Sequence, residues 1–241
     1  MKKPSVTGII VTYQPDKDIV SRTIKSIENQ VDHLIIVDNT PGGSNILNNE
    51  KILSSKNNIS LISLGANAGI AKAQNAGIKK ALEMQADFIL LSDQDTIFPD
   101  SFVRQMFNEY TRLKDKEKVA AMAPDFAERN RGGERQGFVI FNHLFAKRIY
   151  PAGGCHEITQ AISSGKLIPS RVFNQVGWMD EDLFIDWVDL EWCWRARSKG
   201  YKIIGCADIV IEHKLGDRVT RMGQKSYSIR TPVRDYYIIR N

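Results

Sequence analysis

The sequence of 241 residues predicts an α/β fold in which helices cover both faces of a mostly parallel sheet. Residues 1–95 alternate between short apolar runs and longer segments with apolar residues at helical spacing. The runs are continuously apolar, which is typical of strands buried on both faces. The predicted strands are Val6–Thr12, His33–Val37, Ile59–Leu64 and Ala86–Ser92, and the predicted helices are residues 17–30 and 69–84.

The first predicted strand follows a basic N-terminus and therefore has the outline of a signal peptide. Its apolar stretch, Val6–Tyr13, is short, contains Thr7 and Thr12, and is not followed by a small-residue cleavage site. We interpret it as a buried strand. The two helices after it each have one apolar stripe: Ile19, Thr23, Ile24 and Ile27 in the first, and Ile70, Ala73, Gly77 and Ala81 in the second.

Beyond residue 98 the pattern is less regular. Pro99 opens a predicted helix over 99–114, and Val119–Ala123 reads as a strand. Residues 126–160 contain two Gly-Gly pairs and are interpreted as a lid or a hairpin. A helix is expected around Ser170–Val176 and a strand at Ile209–Ile211. We predict one domain, 1–241, with two functional halves, 1–98 and 99–241.

Composition and cysteine usage exclude several classes of protein. The chain is 42% hydrophobic and 25% charged, as in an ordinary globular protein. It has no run of about 18 apolar residues that would span a membrane. Cys155, Cys193 and Cys206 are odd in number and lack CxxC spacing, so we expect neither a disulfide framework nor a zinc site. This usage predicts a cytoplasmic protein.

The net charge of +5 lies in the last part of the chain, since residues 214–241 carry seven basic and two acidic side chains. Such a segment can bind nucleic acid, a membrane surface or an anionic ligand, or it can be a solvated basic face. Nucleic acid is disfavoured because the segment lacks a recognition helix and a clear aromatic stacking platform.

Polar residues follow each of the four predicted strands. One such residue has simple explanations, such as a turn or a helix cap. Four groups in register indicate a ligand site at the carboxyl ends of the strands. No GxGxxG or GxxxxGK[ST] motif is present, which argues against a dinucleotide-binding site and a P-loop. The residues are Thr12 and Tyr13, Asp38 and Asn39, Asn67 and Gly69, and Asp93 and Asp95.

Asp93 and Asp95, in the stretch LLSDQDT, stand one residue apart after an apolar run. If the strand continued through them, both carboxylates would lie on one face. Two such charges repel each other unless a cation lies between them. The pair therefore predicts a cation site.

A second acidic stretch, residues 179–200, interleaves carboxylates with large aromatic side chains. We predict a helix from near Asp186 to just before Gly200, with Asp186 as its N-cap. Asp189 lies among tryptophans, where partial desolvation favours proton uptake. Ser163, Ser164 and Gly165 precede it, and His213 follows an apolar strand as a candidate third metal ligand.

Eight segments stand in one order along the chain: VTYQPD, VDNT, NAGIAKAQNAGI, SDQDT, SSG, FIDWVDLEWCWR, HKLGD and RDYYIIRN. Together they resemble the family 2 glycosyltransferases, and most closely the bacterial rhamnosyltransferases of surface-polysaccharide synthesis. The resemblance runs from residue 8 to the last residue. It implies a GT-A fold, with a Rossmann-like half joined to an acceptor-binding half.

The resemblance also implies a role for each matching residue. Asp38 would accept the pyrimidine N–H of the nucleotide, and Asp189 would be the catalytic base. The family has Glu-Asp where this chain has Val188-Asp189, so a neighbouring carboxylate is missing, and Asp186 or Glu191 would have to replace it. The implied nucleotide-sugar ligands are Thr12, Tyr13, Asp38, Asn67, Gly69, Lys72 and Asp93; the metal ligands are Asp93, Asp95 and His213; and the acceptor residues are Ser164, Gly165, Trp187 and Asp186.

The implied reaction is sugar transfer with inversion at the anomeric carbon. Mg²⁺ or Mn²⁺ would bridge the aspartate pair and the donor diphosphate, and Asp189 would deprotonate an acceptor hydroxyl. The expected donor is dTDP-L-rhamnose, and UDP-sugars stay open because uracil and thymine present the same hydrogen-bonding edge. The implied acceptor is a glycan or a lipid-linked oligosaccharide, which favours a peripheral position at the inner face of the cell membrane. Arg218 and Arg221 are the expected donor contacts, and Lys225, Arg230 and Arg240 the expected membrane contacts.

Two alternatives to an active transferase are open. A nucleotide-binding module that has lost catalysis would explain Val188. A metal-dependent phosphatase or nucleotidyltransferase would also use paired aspartates, but it would leave the Asp189 segment unexplained.

Overall fold

A computed structural model describes residues 3–47, 58–128, 133–142, 145–213, 218–222, 225–229 and 232–241. For residues 142, 213, 218–222 and 225–229 it describes the backbone alone. Nine of the described strands form one sheet in the order β3-β2-β1-β4-β10-β5-β11-β9, with β6 paired to β5. The strands are β1 Val6–Thr12, β2 His33–Asp38, β3 Ile59–Ser63, β4 Phe88–Asp93, β5 Val119–Glu128, β6 Glu134–Arg135, β7 Phe138–Asn142, β8 Phe145–Ile149, β9 Cys155–Ile158, β10 Lys166–Pro169, β11 Lys202–His213, β12 Arg218–Met222 and β13 Lys225–Ile229.

The first half of the sheet is parallel. β1 pairs in parallel with β2 and β4, and β2 pairs in parallel with β3. In the second half β11 is parallel to β5, whereas β10 is antiparallel to both of its neighbours. β7 with β8 and β12 with β13 form two separate hairpins. The predicted α/β class is confirmed, and the 126–160 region contains the expected hairpin.

Helices cover both faces of the sheet because its strands are apolar on both faces. The side chains of β1 alternate between two cores: Ile9 and Val11 face one, and Val6 and Ile10 face the other. The first core includes α2, α4 and α5, and the second includes α1 and α3. The helices are α1 Lys17–Ile27, α2 Ile70–Glu83, α3 Phe102–Arg112, α4 Arg171–Val176, α5 Val188–Ser198 and α6 Pro232–Arg240, with short 3₁₀ turns at 116–118 and 181–183.

The prediction that no disulfide forms is wrong. Cys155 and Cys206 are bonded to each other, and Cys193 is a buried free thiol. The two bonded residues face each other in the antiparallel pairing of β9 with β11. That register brings together two cysteines that lie 51 residues apart in the sequence, and the spacing alone could not indicate it.

Within the described ranges, every helix is too short or too polar to cross a membrane.

Candidate active site

The parallel strands bring their polar carboxyl ends to one edge of the sheet. Thr12 at the end of β1 is in register with Asp38 at the end of β2, and Val11 is in register with Asp93 at the end of β4. Thr12 is fully buried, and its hydroxyl donates to the carbonyl oxygen of Val37 at 3.4 Å. The strand-end residues that the sequence singled out therefore lie along one edge.

Tyr13 is tied to the turn after β4. Its backbone N–H donates to the Gln94 side-chain oxygen at 2.8 Å, and the Gln94 amide donates back to the Tyr13 carbonyl at 3.2 Å. The Tyr13 side chain is 43% exposed, so its ring is accessible at the edge. Gln94, the middle residue of the DQD sequence, thus fixes β1 relative to the aspartate pair.

Asp38 is buried and holds the loop that follows it. One carboxylate oxygen accepts the Thr40 N–H at 3.1 Å, and the other accepts the Ser44 N–H at 2.6 Å. Each oxygen has two lone pairs and accepts one hydrogen bond from the described residues, which leaves one lone pair for a further donor. The turn interpretation of this residue is correct, and the geometry is compatible with a ligand N–H as well.

Asn39 and Asn67 connect the ends of β2 and β3. The Asn39 amide donates to the Asn67 side-chain oxygen at 3.0 Å, and its own oxygen accepts the Ala68 N–H at 2.8 Å. The Asn67 oxygen also accepts the N–H of Gly69 at 3.2 Å. The pair shapes the turn that opens α2, where Lys72 is exposed.

Gly69 has a structural reason to be glycine. Its φ of +87° lies in the left-handed region, and an added Cβ would come within 2.8 Å of the carbonyl oxygen of Phe184. The N–H of Ile70 donates to that same oxygen at 2.6 Å. Gly69 thus allows the loop before α5 to contact the start of α2.

The strand does not continue through the aspartate pair, because β4 ends at Asp93, one residue later than predicted, and Asp95 belongs to a turn. The Ser164 hydroxyl donates to Asp93 at 2.6 Å, and the Thr96 hydroxyl donates to Ser164 at 3.0 Å. Both aspartates are partly exposed at the sheet edge.

The backbone of His213 ends β11 next to the same turn. Glu212 exchanges two backbone hydrogen bonds with Ile97, two residues past Asp95. The side chains of His213, Arg218, Arg221 and Lys225, and the whole of Arg230, lie outside the described structure. Among the described side chains, no three of the types His, Cys, Asp and Glu converge on one point.

Asp189, in the first turn of α5, accepts three described hydrogen bonds. Its Oδ2 accepts the Ser163 N–H at 3.0 Å, while its Oδ1 accepts the Ser163 hydroxyl and the Lys166 ammonium, the latter at 3.1 Å. Ser163 and Ser164 are adjacent, so a single segment links Asp189 to Asp93. Adjacent residues therefore contact the two carboxylates that were predicted for different halves of the chain.

Lys166 is fully buried at the start of β10. Burial is the largest single effect and lowers the pKa of this ammonium. The charge and hydrogen bond of Asp189, together with Cys193 and Asp93, outweigh it, and the pKa lies above its usual value. The ammonium is also 5.8 Å from the centre of the Trp192 ring. Lys166 therefore stays charged and balances Asp189.

Gln74 of α2 extends the network from the first half of the chain. Its amide donates to the Ser163 hydroxyl at 2.6 Å, so a chain of donors runs from Gln74 through Ser163 to Asp189. Its buried side-chain oxygen accepts no hydrogen bond in the described structure. Next to it, Asn75 binds the backbone of Met179 through two hydrogen bonds, at 2.9 and 3.0 Å.

The helix of the second acidic stretch begins later than predicted, and Asp186 is not its N-cap. Trp187 holds that position, and Asp186 has a φ of +67°. Asp186 instead forms an ion pair with Arg234 of α6, with atoms 2.8 Å apart. Glu191 pairs with Arg195 at 2.6 Å. Both carboxylates that were candidates to replace the missing neighbour at Val188 are thus engaged elsewhere.

The remaining acceptor candidates, Trp187 and Gly165, make structural contacts within the protein. Trp187 donates its indole N–H to the Ile238 carbonyl at 3.2 Å, and its ring lies 5.8 Å from that of Trp194. Gly165 has a φ of +80°, and a Cβ there would meet Pro124 at 2.6 Å, so close packing accounts for it.

The family model for glycosyl transferase family 2 matches residues 7–177. This chain belongs to that family. The match covers β1 to α4 and includes the aspartate pair and the Ser163–Lys166 segment, so the resemblance in the sequence is confirmed. As a family 2 member, the chain is a glycosyltransferase.

Three related sequences fall in the same class. A dTDP-rhamnosyl transferase, RfbF of Shigella flexneri, is 33% identical over 98% of this chain and 78% of its own length. The low-salt glycan biosynthesis hexosyltransferase Agl10 of Haloferax volcanii is 23% identical over 97% of this chain and 74% of its own length. YwdF of Bacillus subtilis, an uncharacterized glycosyltransferase, is 28% identical over 85% of this chain and 73% of its own length.

The fold agrees with solved glycosyltransferases. GalNAc-T7 with UDP, GalNAc and Mn²⁺ has a TM-score of 0.69 at 13% identity, covering 88% of this chain and 44% of that one. TarS of S. aureus has a TM-score of 0.66 at 16% identity, covering 88% of this chain and 37% of the TarS chain. The chain thus spans less than half the length of these two structures. The expected GT-A fold is confirmed.

Two residues of this family 2 site were not predicted from the sequence. They are Lys166 at the start of β10 and Gln74 in α2. The signal for both was their place in matching segments: Gln74 lies within NAGIAKAQNAGI and Lys166 directly follows SSG. Their contact with Asp189, direct or through Ser163, follows only from the fold.

Proposed function

We propose that this glycosyltransferase transfers L-rhamnose from dTDP-L-rhamnose to a hydroxyl group of a glycan acceptor, with inversion at the anomeric carbon. The single observation that carries the proposal is the connection of Asp93 and Asp189 through Ser164 and Ser163. Two adjacent residues thereby connect a carboxylate suited to the donor diphosphate side and a carboxylate suited to proton removal. The relative named as a dTDP-rhamnosyl transferase supports the choice of donor.

The nucleoside would bind at the carboxyl ends of β1 and β2. The Tyr13 ring is exposed there, and Asp38 retains an acceptor position on each oxygen for the pyrimidine N–H. Thr12 joins β1 to β2 through its hydrogen bond to the Val37 carbonyl oxygen. Asn67, Gly69 and Lys72 would lie along the ribose and diphosphate, with the exposed Lys72 ammonium suited to a phosphate oxygen.

The residues at the end of β4 suit a hard divalent cation. Mg²⁺ and Mn²⁺ prefer carboxylate oxygens, and Mg²⁺ sites use one or two carboxylates together with substrate phosphates. Asp93 and Asp95 offer these oxygens at the edge, and His213 is the proposed third ligand. When bound, such a cation neutralises the charge that develops on the departing diphosphate. The solved relative with UDP and Mn²⁺ supports this assignment.

Asp189 would remove the proton from the acceptor hydroxyl. Two donors, Ser163 and Lys166, already occupy Oδ1, whereas Oδ2 accepts only the Ser163 N–H among the hydrogen bonds that the structure describes. Oδ2 therefore retains a lone pair for the incoming hydroxyl. Lys166 and Ser163 hold the carboxylate in one orientation, which positions this lone pair. The oxygen that loses its proton would attack the face opposite the diphosphate.

The acceptor would approach along aromatic side chains near α5. The Trp187 and Trp194 rings lie 5.8 Å apart, and Phe141 of the β7–β8 hairpin lies 6.4 Å from Trp194. Phe141 and Trp194 are exposed and line a groove of about 720 Å³ with Glu157 and Arg197. Ring faces and hydrogen-bonding groups together suit a carbohydrate. Asp186 supports this side indirectly through Arg234.

A panel of sugar nucleotides tests the donor. The purified protein is given dTDP-L-rhamnose, other dTDP-sugars and UDP-sugars, each with Mn²⁺ and with a chelator, and release of the nucleoside diphosphate is measured. We expect metal-dependent turnover of dTDP-L-rhamnose above all others. The second candidate is a UDP-sugar transferase, favoured by the UDP in two structures of similar fold. Turnover of a UDP-sugar with none of dTDP-L-rhamnose would establish that function instead.

We also propose that the enzyme works at the cytoplasmic face of the membrane on a lipid-linked acceptor. The concentration of basic residues after Lys214 supports this placement. The two halves, 1–98 and 99–241, would bind donor and acceptor respectively, with Gln74 joining them through Ser163.

A further inference from the structure

The last helix, α6, is docked on residues 182–187, the loop that directly precedes the helix carrying Asp189. We call these six residues the Phe184 loop. Its central contact is the ion pair between Arg234 and Asp186, in which Nη2 and Nε of the guanidinium lie 2.8 and 3.2 Å from Oδ1. The Asp186 side chain is 14% exposed in this pair, so the interaction is partly desolvated.

Further contacts join α6 to the Phe184 loop along its length. The Phe184 and Tyr237 rings stack with their centres 4.6 Å apart. The others are hydrogen bonds to backbone carbonyls, and most of them come from RDYYIIRN, the segment whose role the proposed reaction leaves open. They are Asn241 to Leu183 at 2.6 Å, Asn241 to Ile185 at 3.0 Å, Arg240 to Asp182, and Trp187 to Ile238 at 3.2 Å.

The opposite side of the Phe184 loop contacts the donor side of the site. The Phe184 carbonyl accepts the Ile70 N–H at 2.6 Å, at the first residue of α2. Gly69 leaves room for this approach, since a Cβ there would come within 2.7 Å of the Phe184 ring. The loop therefore lies between the start of α2 and α6.

The backbone of the loop needs this support. Phe184 and Asp186 have φ angles of +60° and +67°, which residues other than glycine rarely adopt. Such conformations persist where surrounding contacts enforce them, and they are frequent at functional sites. The stacked ring fixes Phe184, and the ion pair fixes Asp186.

We propose that α6 is a clasp that positions the Phe184 loop, and that Arg234 is a positioning residue acting through Asp186. The inference rests on the proposed role of Asp189 as base. Asp189 follows Asp186 by three residues, so a shift of the loop moves the first turn of α5. The same shift releases the start of α2 from the Phe184 carbonyl.

The first test measures hydrogen exchange and needs no substrate. Arg234→Gln removes the charge and the paired donors. We expect faster amide exchange at residues 183–187 and at Ile70, with unchanged exchange in β1 and β2. Ile239→Ala, on the exposed face of the same helix at 84% exposure, is the matched control and should leave both regions unchanged. Unchanged exchange at residues 183–187 in Arg234→Gln would overturn the proposal.

The second test is a charge reversal read by catalysis. Asp186→Arg and Arg234→Asp should each lower the kcat for dTDP release from dTDP-L-rhamnose by about tenfold or more. The affinity for dTDP should fall by a smaller factor than kcat, because Thr12, Tyr13 and Asp38 are untouched even if the start of α2 shifts. The double variant restores an ion pair and should recover a large part of kcat. A double variant no more active than the product of the two single effects would contradict the clasp.

Two controls separate this inference from its premises. Arg234→Lys keeps the charge and should retain more activity than Arg234→Gln. This variant provides the test if Arg234→Gln melts at a much lower temperature than the wild type. Asp189→Asn tests the proposed function by itself. If Asp189→Asn is inactive while Arg234→Gln and Arg234→Lys have normal kcat, the clasp alone fails. If Asp189→Asn is fully active, the proposed base fails instead.

Discussion

At the scale of single residues, the central feature of the site is the set of hydrogen bonds that the Asp189 carboxylate accepts. Asp189 has three protein donors, and two of them, the Lys166 ammonium and the Ser163 hydroxyl, are on Oδ1. A fully buried ammonium is tolerated only when it is paired, so Lys166 and Asp189 depend on each other. This mutual dependence gives the proposed base a fixed orientation before any substrate binds.

Asp189→Asn keeps the shape of the side chain but cannot accept a proton. We expect kcat to fall by roughly 10²–10⁴ while the affinity for the donor nucleotide is retained. Turnover of dTDP-L-rhamnose and calorimetric titration with dTDP measure the two quantities. Near-normal turnover in the variant would mean that another group is the base.

Lys166 makes stability depend on alkaline pH. Its pKa is raised above the usual value because Asp189, Cys193 and Asp93 together outweigh the effect of burial. Its contribution to stability is therefore complete below about pH 10.5 and is lost as pH rises through the raised pKa. Melting temperatures between pH 8 and 12 should fall more steeply for the wild type than for Lys166→Met. Parallel curves for the two proteins would show that the pKa of Lys166 is not raised in the folded state.

Asp95 can be removed without disturbing a strand, because it lies in the turn after β4. Asp95→Ala should abolish Mn²⁺-dependent binding of dTDP while the melting temperature without metal stays close to that of the wild type. Calorimetry with and without Mn²⁺ provides the comparison. Equal Mn²⁺-dependent affinity in the variant and the wild type would exclude Asp95 as a metal ligand.

At the scale of secondary-structure elements, the strands carry most of the predictable information. Continuous apolar runs such as Ile9–Val11 can only be buried, and their polar ends follow from the parallel arrangement. The start of α5 was predicted wrongly because Asp186 has the residue type of an N-cap. It turns to Arg234 instead, a contact across 48 residues that no local pattern indicates.

A substitution at Gly69 tests how tightly the start of α2 packs against Phe184. Gly69→Ala places a Cβ against Phe184 in addition to the cost of a positive φ. Gly42→Ala is the matched control, since Gly42 has a φ of +76° and open space around it. We expect Gly69→Ala to lower the free energy of unfolding by roughly 1–3 kcal/mol more than the control. Equal losses in chemical denaturation would mean that Phe184 moves away freely.

At the scale of the whole molecule, family, fold and the strand-end residues were predictable, whereas the partners of those residues were not. Ser164 was found from the sequence, but its hydrogen bond to Asp93 depends on the antiparallel pairing of β10 with β4. The disulfide between Cys155 and Cys206 depends in the same way on the register of β9. Contacts set by register between distant strands have no local signature in the sequence.

The uneven distribution of charge predicts that the proposed membrane attachment is electrostatic. The net charge of +5 lies in residues 214–241, where α6 also exposes Val233, Tyr236 and Ile239. Each basic side chain that reaches anionic headgroups contributes about 1 kcal/mol, and salt screens it. The protein should sediment with anionic vesicles at low salt and be released at high salt. Equal binding to neutral vesicles would contradict an electrostatic attachment.

The stereochemistry of the product tests the central claim, that Asp189 activates the attacking oxygen in a single displacement. The anomeric configuration of the rhamnose is followed by proton NMR immediately after its release from dTDP-L-rhamnose, before the free sugar equilibrates. Attack on the face opposite the diphosphate predicts that the first-formed sugar has the configuration inverted relative to the donor. A first-formed sugar with the donor's own configuration would contradict the account, because it would require two displacements or attack from the same face.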